Sequence, residues 1–318
     1  MLFFANFAYF AALRETGFST HELGGFMTPR SWLFVPGDRP DMVAKAFGSG
    51  TDAVIVDLED AVLPENRAHA RKLAPSFGKA ALSASAQFWV RINSLQTADA
   101  LLDLAAVVPA GPVGIVLPKA ESGSAVIELG HYLSAFEATA GLPLGKTQIL
   151  AIATETPKSV FDLGSYAACG ARLAGLAWGA EDLSVAVGAT SGRDERGAFT
   201  PLYELVRSLC IAGAAAAGVA ALETIYPAYR DIEGLLAYAK RARRDGFQGM
   251  LAIHPAQVRV INEAFTPSSA EFAFAERVVA AFAANPGSGA VALDGRMLDA
   301  PHLKQARRIL ASRERSKV

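Results

Sequence analysis

The stretch Ile149-Leu-Ala-Ile-Ala-Thr-Glu155 is an apolar run that ends at a carboxylate, and Leu176-Ala-Trp-Gly-Ala-Glu-Asp182 repeats this pattern. Strands that are buried on both faces have such continuous apolar sequences, and they occur in parallel sheets covered by helices. The two carboxylates are therefore predicted to follow neighbouring strands, at the mouth of a barrel where α/β enzymes build their active sites. Glu155 and Asp182 could hold one hard divalent cation such as Mg²⁺, with water and substrate oxygens as its remaining ligands.

The same kind of apolar run occurs eight times along the chain, and most runs are followed by a segment of helical period or composition. Strand–helix alternation of this kind predicts an α/β fold, a parallel (β/α)₈ TIM barrel. The runs cover residues 32–35, 53–58, 88–92, 113–117, 149–153, 173–178, 222–226 and 250–253.

The alternation stops near Phe265, which divides the chain into three predicted parts. Residues 30–264 form the barrel, and residues 265–318 form a C-terminal helical arm that packs outside it or reaches a neighbouring subunit. Residues 1–29 are interpreted as an N-terminal extension, since a second methionine, Met27, stands just before the folded pattern. Two explanations of residues 1–26 stay open, a wrongly assigned start and a short amphipathic helix that packs on a partner.

Composition excludes several classes of partner and site. The 318 residues include 30 basic and 31 acidic side chains, so no net field attracts nucleic acid or an anionic membrane. Two isolated cysteines are interpreted as reduced packing residues of a cytoplasmic protein. No window has the ~20 apolar residues of a membrane span. The motifs of nucleotide-binding loops, serine hydrolases and zinc proteases are missing.

Other strand ends supply further charged residues whose roles have more than one explanation. Arg91 ends a buried strand and needs an anion, either a structural carboxylate such as Glu59 or a bidentate substrate carboxylate. Glu59 belongs to a crowded acidic group with Asp57 and Asp60, in which some members must bond to arginines or to metal-bound water. Lys119 neutralises this acidic mouth or binds substrate; Schiff-base chemistry is disfavoured because a metal already supplies the electrophile. For Glu155 and Asp182 the alternatives to metal binding are that they are exposed loop carboxylates or helix N-caps.

The strand-end motifs resemble those of citrate lyase beta subunits and beta-like proteins, a family that includes malyl-CoA and citramalyl-CoA lyases. The resemblance runs in order from about Arg30 to about Arg308. It is carried by SWLFVPGDRP at 31–40, DLED at 57–60, VRIN at 90–93, LPKAES at 117–122, WGAEDL at 178–183 and AIHP at 252–255. It implies a TIM barrel, Mg²⁺, and carbon–carbon lyase chemistry on acyl thioesters.

The resemblance also implies roles for individual residues. Glu155 and Asp182 match the metal ligands, Arg91 matches the arginine that holds the substrate's carboxylate, and Arg39 matches a second arginine at the site mouth. Asp299 matches the aspartate that a neighbouring subunit of the CoA lyases inserts into the active site. With Glu59 and Lys119, these arginines are the predicted substrate-binding residues, while Asp299 and Arg91 are the predicted catalytic residues. The family commonly forms trimers or hexamers, so a homo-oligomer is expected.

These inferences predict a Mg²⁺-dependent carbon–carbon lyase that cleaves a 3-hydroxyacyl thioester into an acetyl thioester and a 2-oxo acid. Coenzyme A enters as part of a malyl-, citramalyl- or citryl-CoA substrate. Two alternatives stay open: a citrate lyase complex subunit that takes citryl bound to an acyl carrier protein, and a malyl-CoA thioesterase. A barrel retained only as an assembly partner is disfavoured, because every metal and substrate position is filled.

Overall fold

Eight parallel strands close into a barrel, in chain order, in the computed structural model, which describes residues 28–195 and 197–313. The barrel predicted from the apolar runs is therefore confirmed. The extension predicted at residues 1–29 lies outside the described residues up to Met27. The strands are β1 (Ser31–Pro36), β2 (Ala53–Asp57), β3 (Gln87–Arg91), β4 (Gly114–Leu117), β5 (Gln148–Ile152), β6 (Leu173–Ala177), β7 (Ala220–Glu223) and β8 (Gly249–Ala252).

Helices follow the strands, and several begin at residues with capping chemistry. Asp231 caps one helix by accepting the Gly234 N–H at 2.9 Å, and Ser268 forms a capping box with Glu271 at the start of another. In the described part of the chain no helix is long and apolar enough to cross a membrane. The helices are α1 (Pro40–Phe47), α2 (Arg67–Leu82), α3 (Asp99–Val107), α4 (Gly123–Thr139), α5 (Pro157–Phe161), α6 (Glu181–Ala186), α7 (Pro201–Ala217), α8 (Ile232–Asp245), α9 (Pro255–Phe265), α10 (Ser269–Ala283) and α11 (Ala300–Ala311).

The barrel interior is filled by side chains from all eight strands. Trp32 and Trp89 meet edge to face there, with ring centroids 4.9 Å apart. Gly114 makes room for this pair, because a Cβ at that position would lie 2.2 Å from the Trp89 ring. The interior is a packed core, so chemistry is confined to the barrel ends.

Strand β7 begins two residues earlier than the apolar run 222–226 predicts. The alanine-rich sequence before it favours helix, but Gly218 adopts a left-handed φ of 69° and ends α7 at Ala217. The chain can therefore enter the sheet at Ala220, and Glu223 becomes the last residue of the strand.

The carboxylate of Glu223 is fully buried in a polar network between β7 and the outer helices. It accepts hydrogen bonds from Arg207 Nε at 2.7 Å, from the Tyr238 hydroxyl at 2.7 Å and from the Trp178 indole. Arg207 is also buried and pairs with Asp245 at 2.7 Å. Two buried charges thus compensate each other, and loss of either partner would leave an unpaired charge in the core.

Arg207→Met is expected to lower the free energy of unfolding by about 3–5 kcal/mol, because the buried Glu223 carboxylate would lose its charged partner. Arg241→Met is the matched control, since its pair with Glu204 is partly exposed and such pairs contribute about 0–1 kcal/mol. Urea denaturation of both variants measures the difference. Equal losses in the two variants would contradict the importance assigned to the buried pair.

The C-terminal arm has a small core of its own. Helices α10 and α11 pack with a hairpin of β9 (Ala290–Leu293) and β10 (Arg296–Asp299), and their buried apolar residues form a cluster separate from the two barrel clusters. The helical arm predicted after Phe265 is therefore present, while its reach to a neighbouring subunit stays a prediction.

Candidate functional site

The carboxyl ends of β2 to β6 bring charged side chains from five successive loops together at one end of the barrel. The structure thus assembles most of the residues that the sequence singles out. They are Asp57, Glu59, Asp60, Arg91, Lys119, Glu155 and Asp182.

Arg91 is fixed by Asp57, its register partner across the β2–β3 pair. The Nε and Nη2 atoms of Arg91 donate to the two carboxylate oxygens of Asp57 at 2.7 and 2.6 Å. Asp57 also accepts the backbone N–H groups of Glu59 and Ala61, both at 3.0 Å, which shapes the loop after β2. Burial lowers the pKa of Arg91, but the carboxylates of Asp57, Glu59 and Asp60 together outweigh this effect, and the pKa lies above its ordinary value. The guanidinium therefore has one edge occupied by a structural carboxylate.

Glu59 lies between the two cations of the site. Its Oε1 is 2.5 Å from the Lys119 ammonium, and its Oε2 is 3.1 Å from Arg91 Nη1. The latter contact lacks hydrogen-bond geometry, so the buried Oε2 atom has no hydrogen-bond donor among the described residues. Burial raises the pKa of Glu59, and the Arg91 charge partly opposes that rise. An unsatisfied buried oxygen fits the prediction that Glu59 bonds to a metal-bound water or to substrate.

The Lys119 ammonium also lies near carboxylates from two further positions of the site, Asp182 and Asp60. It is 3.5 Å from Asp182 Oδ1 and 3.9 Å from Asp60 Oδ1. Burial lowers the pKa of Lys119, but the bond to Glu59 and the surrounding carboxylates raise it above its ordinary value. The ammonium stays protonated at neutral pH, which agrees with the sequence argument against a Schiff base.

The Glu155 carboxylate is buried just after β5 and is held by the backbone. Its Oε2 atom accepts the N–H of Lys119, whose φ of 52° is left-handed. Gly179 leaves space for the Glu155 side chain, because a Cβ there would lie 2.7 Å from Glu155 Cγ. Burial raises the pKa of Glu155 to about 8, and the nearby Asp182 charge acts in the same direction. The Lys119 charge opposes this rise only in part, and a carboxylate whose charge is so incompletely compensated is suited to a cation.

Neither metal-ligand candidate is the capping residue of the helix that follows it. Thr156 caps α5 by accepting the Ser159 N–H at 3.2 Å, and Ala180 holds the cap position of α6. Asp182 lies in the first turn of α6 and its side chain is 37% exposed, so it reaches both Lys119 and solvent. The helix N-cap explanation of these two carboxylates is therefore not supported.

The donor chemistry of this site fits Mg²⁺. Glu155 and Asp182 offer carboxylate oxygens, which are the ligands that a hard cation prefers. The Glu155 side chain is buried, and that of Asp182 is accessible to solvent. Across residues 28–195 and 197–313, no group of three or more His, Cys, Asp or Glu side chains is arranged to hold a metal ion. Water and substrate oxygens would therefore complete the coordination, as in Mg²⁺ sites that use one or two protein carboxylates.

Mg²⁺ affinity without substrate is expected to rise about tenfold per pH unit up to about pH 8 and then to level off. The reason is that burial keeps Glu155 protonated below its raised pKa, so the metal must displace a proton. Isothermal titration calorimetry between about pH 6 and pH 9 measures this dependence. An affinity that stays constant over the range would contradict the assignment of Glu155 as a buried ligand.

Two predicted site residues, Arg39 and Asp299, contact side chains that do not belong to the charged cluster at the ends of β2 to β6. Arg39 follows β1, is 59% exposed and lies 3.8 Å from Asp41. Asp299 ends β10, and its carboxylate contacts His302 Nδ1 at 2.5 Å within the arm. Their predicted roles in substrate binding and catalysis stay predictions.

Comparisons with known proteins agree with the motifs. The family model described as HpcH/HpaI aldolase/citrate lyase matches residues 30–255. A citrate lyase subunit beta-like protein of Mycobacterium tuberculosis is 35% identical over 281 residues, which are 88% of this chain and 93% of that protein. A (3S)-malyl-CoA thioesterase of Cereibacter sphaeroides is 33% identical over 287 residues, or 90% and 94% of the two chains.

A solved structure has the same fold with ligands bound. The crystal structure of protein CitE from M. tuberculosis, in complex with magnesium, acetoacetate and coenzyme A, superposes with a TM-score of 0.73. It is 33% identical in sequence, and the match covers 90% of this chain and 98% of that one. These matches confirm the resemblance that the strand-end motifs predict.

Proposed function

Because the chain belongs to the HpcH/HpaI aldolase/citrate lyase family, we propose that it cleaves a 3-hydroxyacyl-CoA thioester into acetyl-CoA and a 2-oxo acid with Mg²⁺. The observation that carries this proposal is the pair of carboxylates at the ends of β5 and β6. Glu155 is buried, its charge is only partly compensated by Lys119, and it interacts electrostatically with Asp182. The complex of CitE with magnesium, acetoacetate and coenzyme A supports the choice of metal and thioester.

Glu155 and Asp182 would hold the metal, and Glu59 would accept a hydrogen bond from water or substrate through its unsatisfied Oε2. Bound Mg²⁺ supplies Lewis-acid polarisation of the substrate's hydroxyl or carbonyl oxygen. The packed barrel interior below the site excludes water from one side, and the charged loops leave the other side open to substrate.

The substrate's carboxylate binds Arg91 in this proposal. Asp57 occupies the Nε and Nη2 edge of the guanidinium, so Nη1 is the atom that substrate reaches. Nη1 points toward Glu59 and Asp60, at 3.1 and 3.7 Å, which places it on the side of the acidic loop. A charge-assisted contact between Arg91 Nη1 and the substrate's carboxylate would orient the substrate for reaction.

Cleavage would begin when the substrate's hydroxyl proton passes to the Glu59 carboxylate, whose Oε2 has no hydrogen-bond donor among the described residues. As the carbon–oxygen double bond of the 2-oxo acid forms, the bond between C2 and C3 of the thioester breaks and its electron pair stays on the acetyl-thioester fragment. Asp299 of the partner subunit protonates that enolate to give acetyl-CoA, and abstracts the same proton in the reverse direction.

The proposal includes a homo-oligomer, a trimer or a hexamer, in which the arm of residues 265–318 serves a neighbouring barrel. Two features support it. The arm has a core separate from the barrel, and the side chain of Met297 beside Asp299 is 75% exposed. An exposed apolar side chain next to a predicted catalytic residue suits an interface.

Thioester hydrolysis is a second candidate, because the (3S)-malyl-CoA thioesterase of C. sphaeroides matches nearly the whole chain. The same site would then direct water to the thioester carbonyl. The carbon–carbon bond of the acyl group would stay intact, and free coenzyme A would be released.

Product analysis distinguishes these activities. Malyl-CoA, citramalyl-CoA and citryl-CoA are offered separately to the full-length protein with Mg²⁺, and the products are identified by mass spectrometry. Acetyl-CoA with glyoxylate, pyruvate or oxaloacetate is the expected result. Free coenzyme A with an intact hydroxy acid would replace the lyase by a thioesterase. No turnover by folded, Mg²⁺-bound protein would overturn action on CoA esters and point to a carrier-protein substrate.

A further inference from the structure

Lys119 contacts both proposed metal ligands, each through a different part of the residue. Its backbone N–H donates to Glu155, and its ammonium lies 3.5 Å from Asp182 Oδ1. The same ammonium is 2.5 Å from Glu59 and 3.9 Å from Asp60. Lys119 therefore contacts four carboxylates, three of them with its positive charge and Glu155 with its backbone N–H.

The backbone at this position fixes where the ammonium lies. Lys119 and Asp294 are the non-glycine residues with positive φ in the described part of the chain. Left-handed φ is uncommon for residues with a side chain, and such conformations concentrate at functional sites. Here the bond from the Lys119 N–H to buried Glu155 holds the strained turn, so the side chain leaves it toward Asp182.

We propose that the Lys119 ammonium is a built-in counter-cation that competes with Mg²⁺ for the carboxylates of the site. A metal ion bound by Glu155 and Asp182 would stand next to a positive charge that shares one of its ligands. Like charges at such short range repel each other, and solvent screens this repulsion only in part because Lys119 and Asp182 are each only about a third exposed. Lys119 therefore weakens Mg²⁺ binding while it attracts the anionic substrate, and so couples metal retention to the presence of substrate.

This inference rests on the metal site of the proposed function but not on the reaction that the site performs. A purely structural role for Lys119 would predict that its replacement weakens the binding of both Mg²⁺ and the anionic substrate. Competition predicts opposite signs: tighter binding of the cation and weaker binding of the anion.

The test measures Mg²⁺ binding to the full-length protein by calorimetry without substrate. Lys119→Met is expected to bind Mg²⁺ at least about tenfold more tightly than the wild-type protein, because the repelling charge is gone. Lys119→Arg keeps the charge and is expected to bind like the wild type or more weakly. Lys119→Gly keeps the left-handed turn without the ammonium, and should match Lys119→Met.

Lys158→Met is the matched control for the loss of one positive charge near the site. Lys158 is the second residue of α5, just after Glu155 in the chain, but it is 68% exposed and pairs with Glu121 at 2.7 Å. Its Mg²⁺ affinity should stay within about twofold of the wild type, since exposed charges are screened. Pyruvate binding, measured with saturating Mg²⁺, should weaken in Lys119→Met and not in Lys158→Met.

Unchanged or weaker Mg²⁺ binding in both Lys119→Met and Lys119→Gly would overturn the competition. If Lys119→Met does not fold, Lys119→Gly decides the question alone, because glycine adopts the required backbone freely. A wild-type protein that binds no Mg²⁺ would overturn the metal site itself, and with it both this inference and the proposed function.

Discussion

Glu155→Gln is expected to abolish measurable Mg²⁺ binding and to lower turnover by roughly a thousandfold or more, which corresponds to about 4 kcal/mol of transition-state stabilisation. The change preserves the shape of the side chain and its bond from the Lys119 N–H. It removes the negative charge that a hard cation needs. Calorimetry with Mg²⁺ and an assay of acetyl-CoA release measure the two effects on one preparation.

Glu121→Gln is the matched control for this variant. Glu121 lies in the loop after β4 and pairs with the exposed Lys158, so its loss removes one carboxylate from the same end of the barrel. Mg²⁺ affinity and turnover should stay close to those of the wild-type protein. A Glu155→Gln protein that binds Mg²⁺ as well as Glu121→Gln does would remove Glu155 from the metal site.

Asp299→Ala is expected to lower turnover by about 10²–10⁴-fold and to leave Mg²⁺ affinity unchanged, because Asp299 handles a proton and not the metal. Asp294→Asn, in the turn of the same hairpin, controls for disturbance of the arm, since asparagine accepts the left-handed φ of 52° found there. Equal activity in Asp299→Ala and the wild-type protein would remove Asp299 from the mechanism.

Mixed oligomers test whether Asp299 acts on a neighbouring barrel. When inactive Glu155→Gln and Asp299→Ala chains are unfolded and refolded together in equal amounts, about a quarter of the sites regain both groups if the arm reaches across a heterologous interface. Glu155→Gln mixed with Arg91→Met gives no recovery, because both residues belong to one barrel. No recovery in the first mixture would mean that Asp299 serves the barrel of its own chain and not that of a neighbour.

Much of the fold could be predicted from the sequence because strands buried on both faces have a continuous apolar pattern. Each of the eight apolar runs overlaps an observed strand, and the carbon–carbon lyase class inferred from the strand-end motifs is confirmed at the level of the family. The predicted start of β7 at residue 222 was wrong, because an alanine-rich sequence suits both a helix and a buried strand. Only the left-handed Gly218 separates the two elements.

The site could be predicted in part, because polar residues directly after parallel strands converge at one end of a barrel. The sequence places Glu155, Asp182 and Lys119 there, but it offers Glu59 as the structural partner of Arg91. The structure adds Asp57, which becomes the bidentate partner through the β2–β3 register. Register is a property of the folded sheet, so no local pattern in either strand reveals it.

The buried network around Glu223 was not foreseen for a similar reason. Glu223 lies inside the predicted apolar run 222–226, but it is the last residue of the observed strand, and its carboxylate turns toward the helices. There it meets Arg207 and Tyr238. The direction of a strand-end side chain depends on its place in the alternation of the folded strand, which the local sequence does not reveal.

The measurement that tests the account most directly is a crystal structure of the protein with Mn²⁺ in place of Mg²⁺ and a 2-oxo acid present. We expect an anomalous peak about 2–2.3 Å from carboxylate oxygens of Glu155 and Asp182, with oxygens of the acid or of water as the other ligands. A peak at another position, or no peak between these two carboxylates at saturating Mn²⁺, would contradict the proposed metal site.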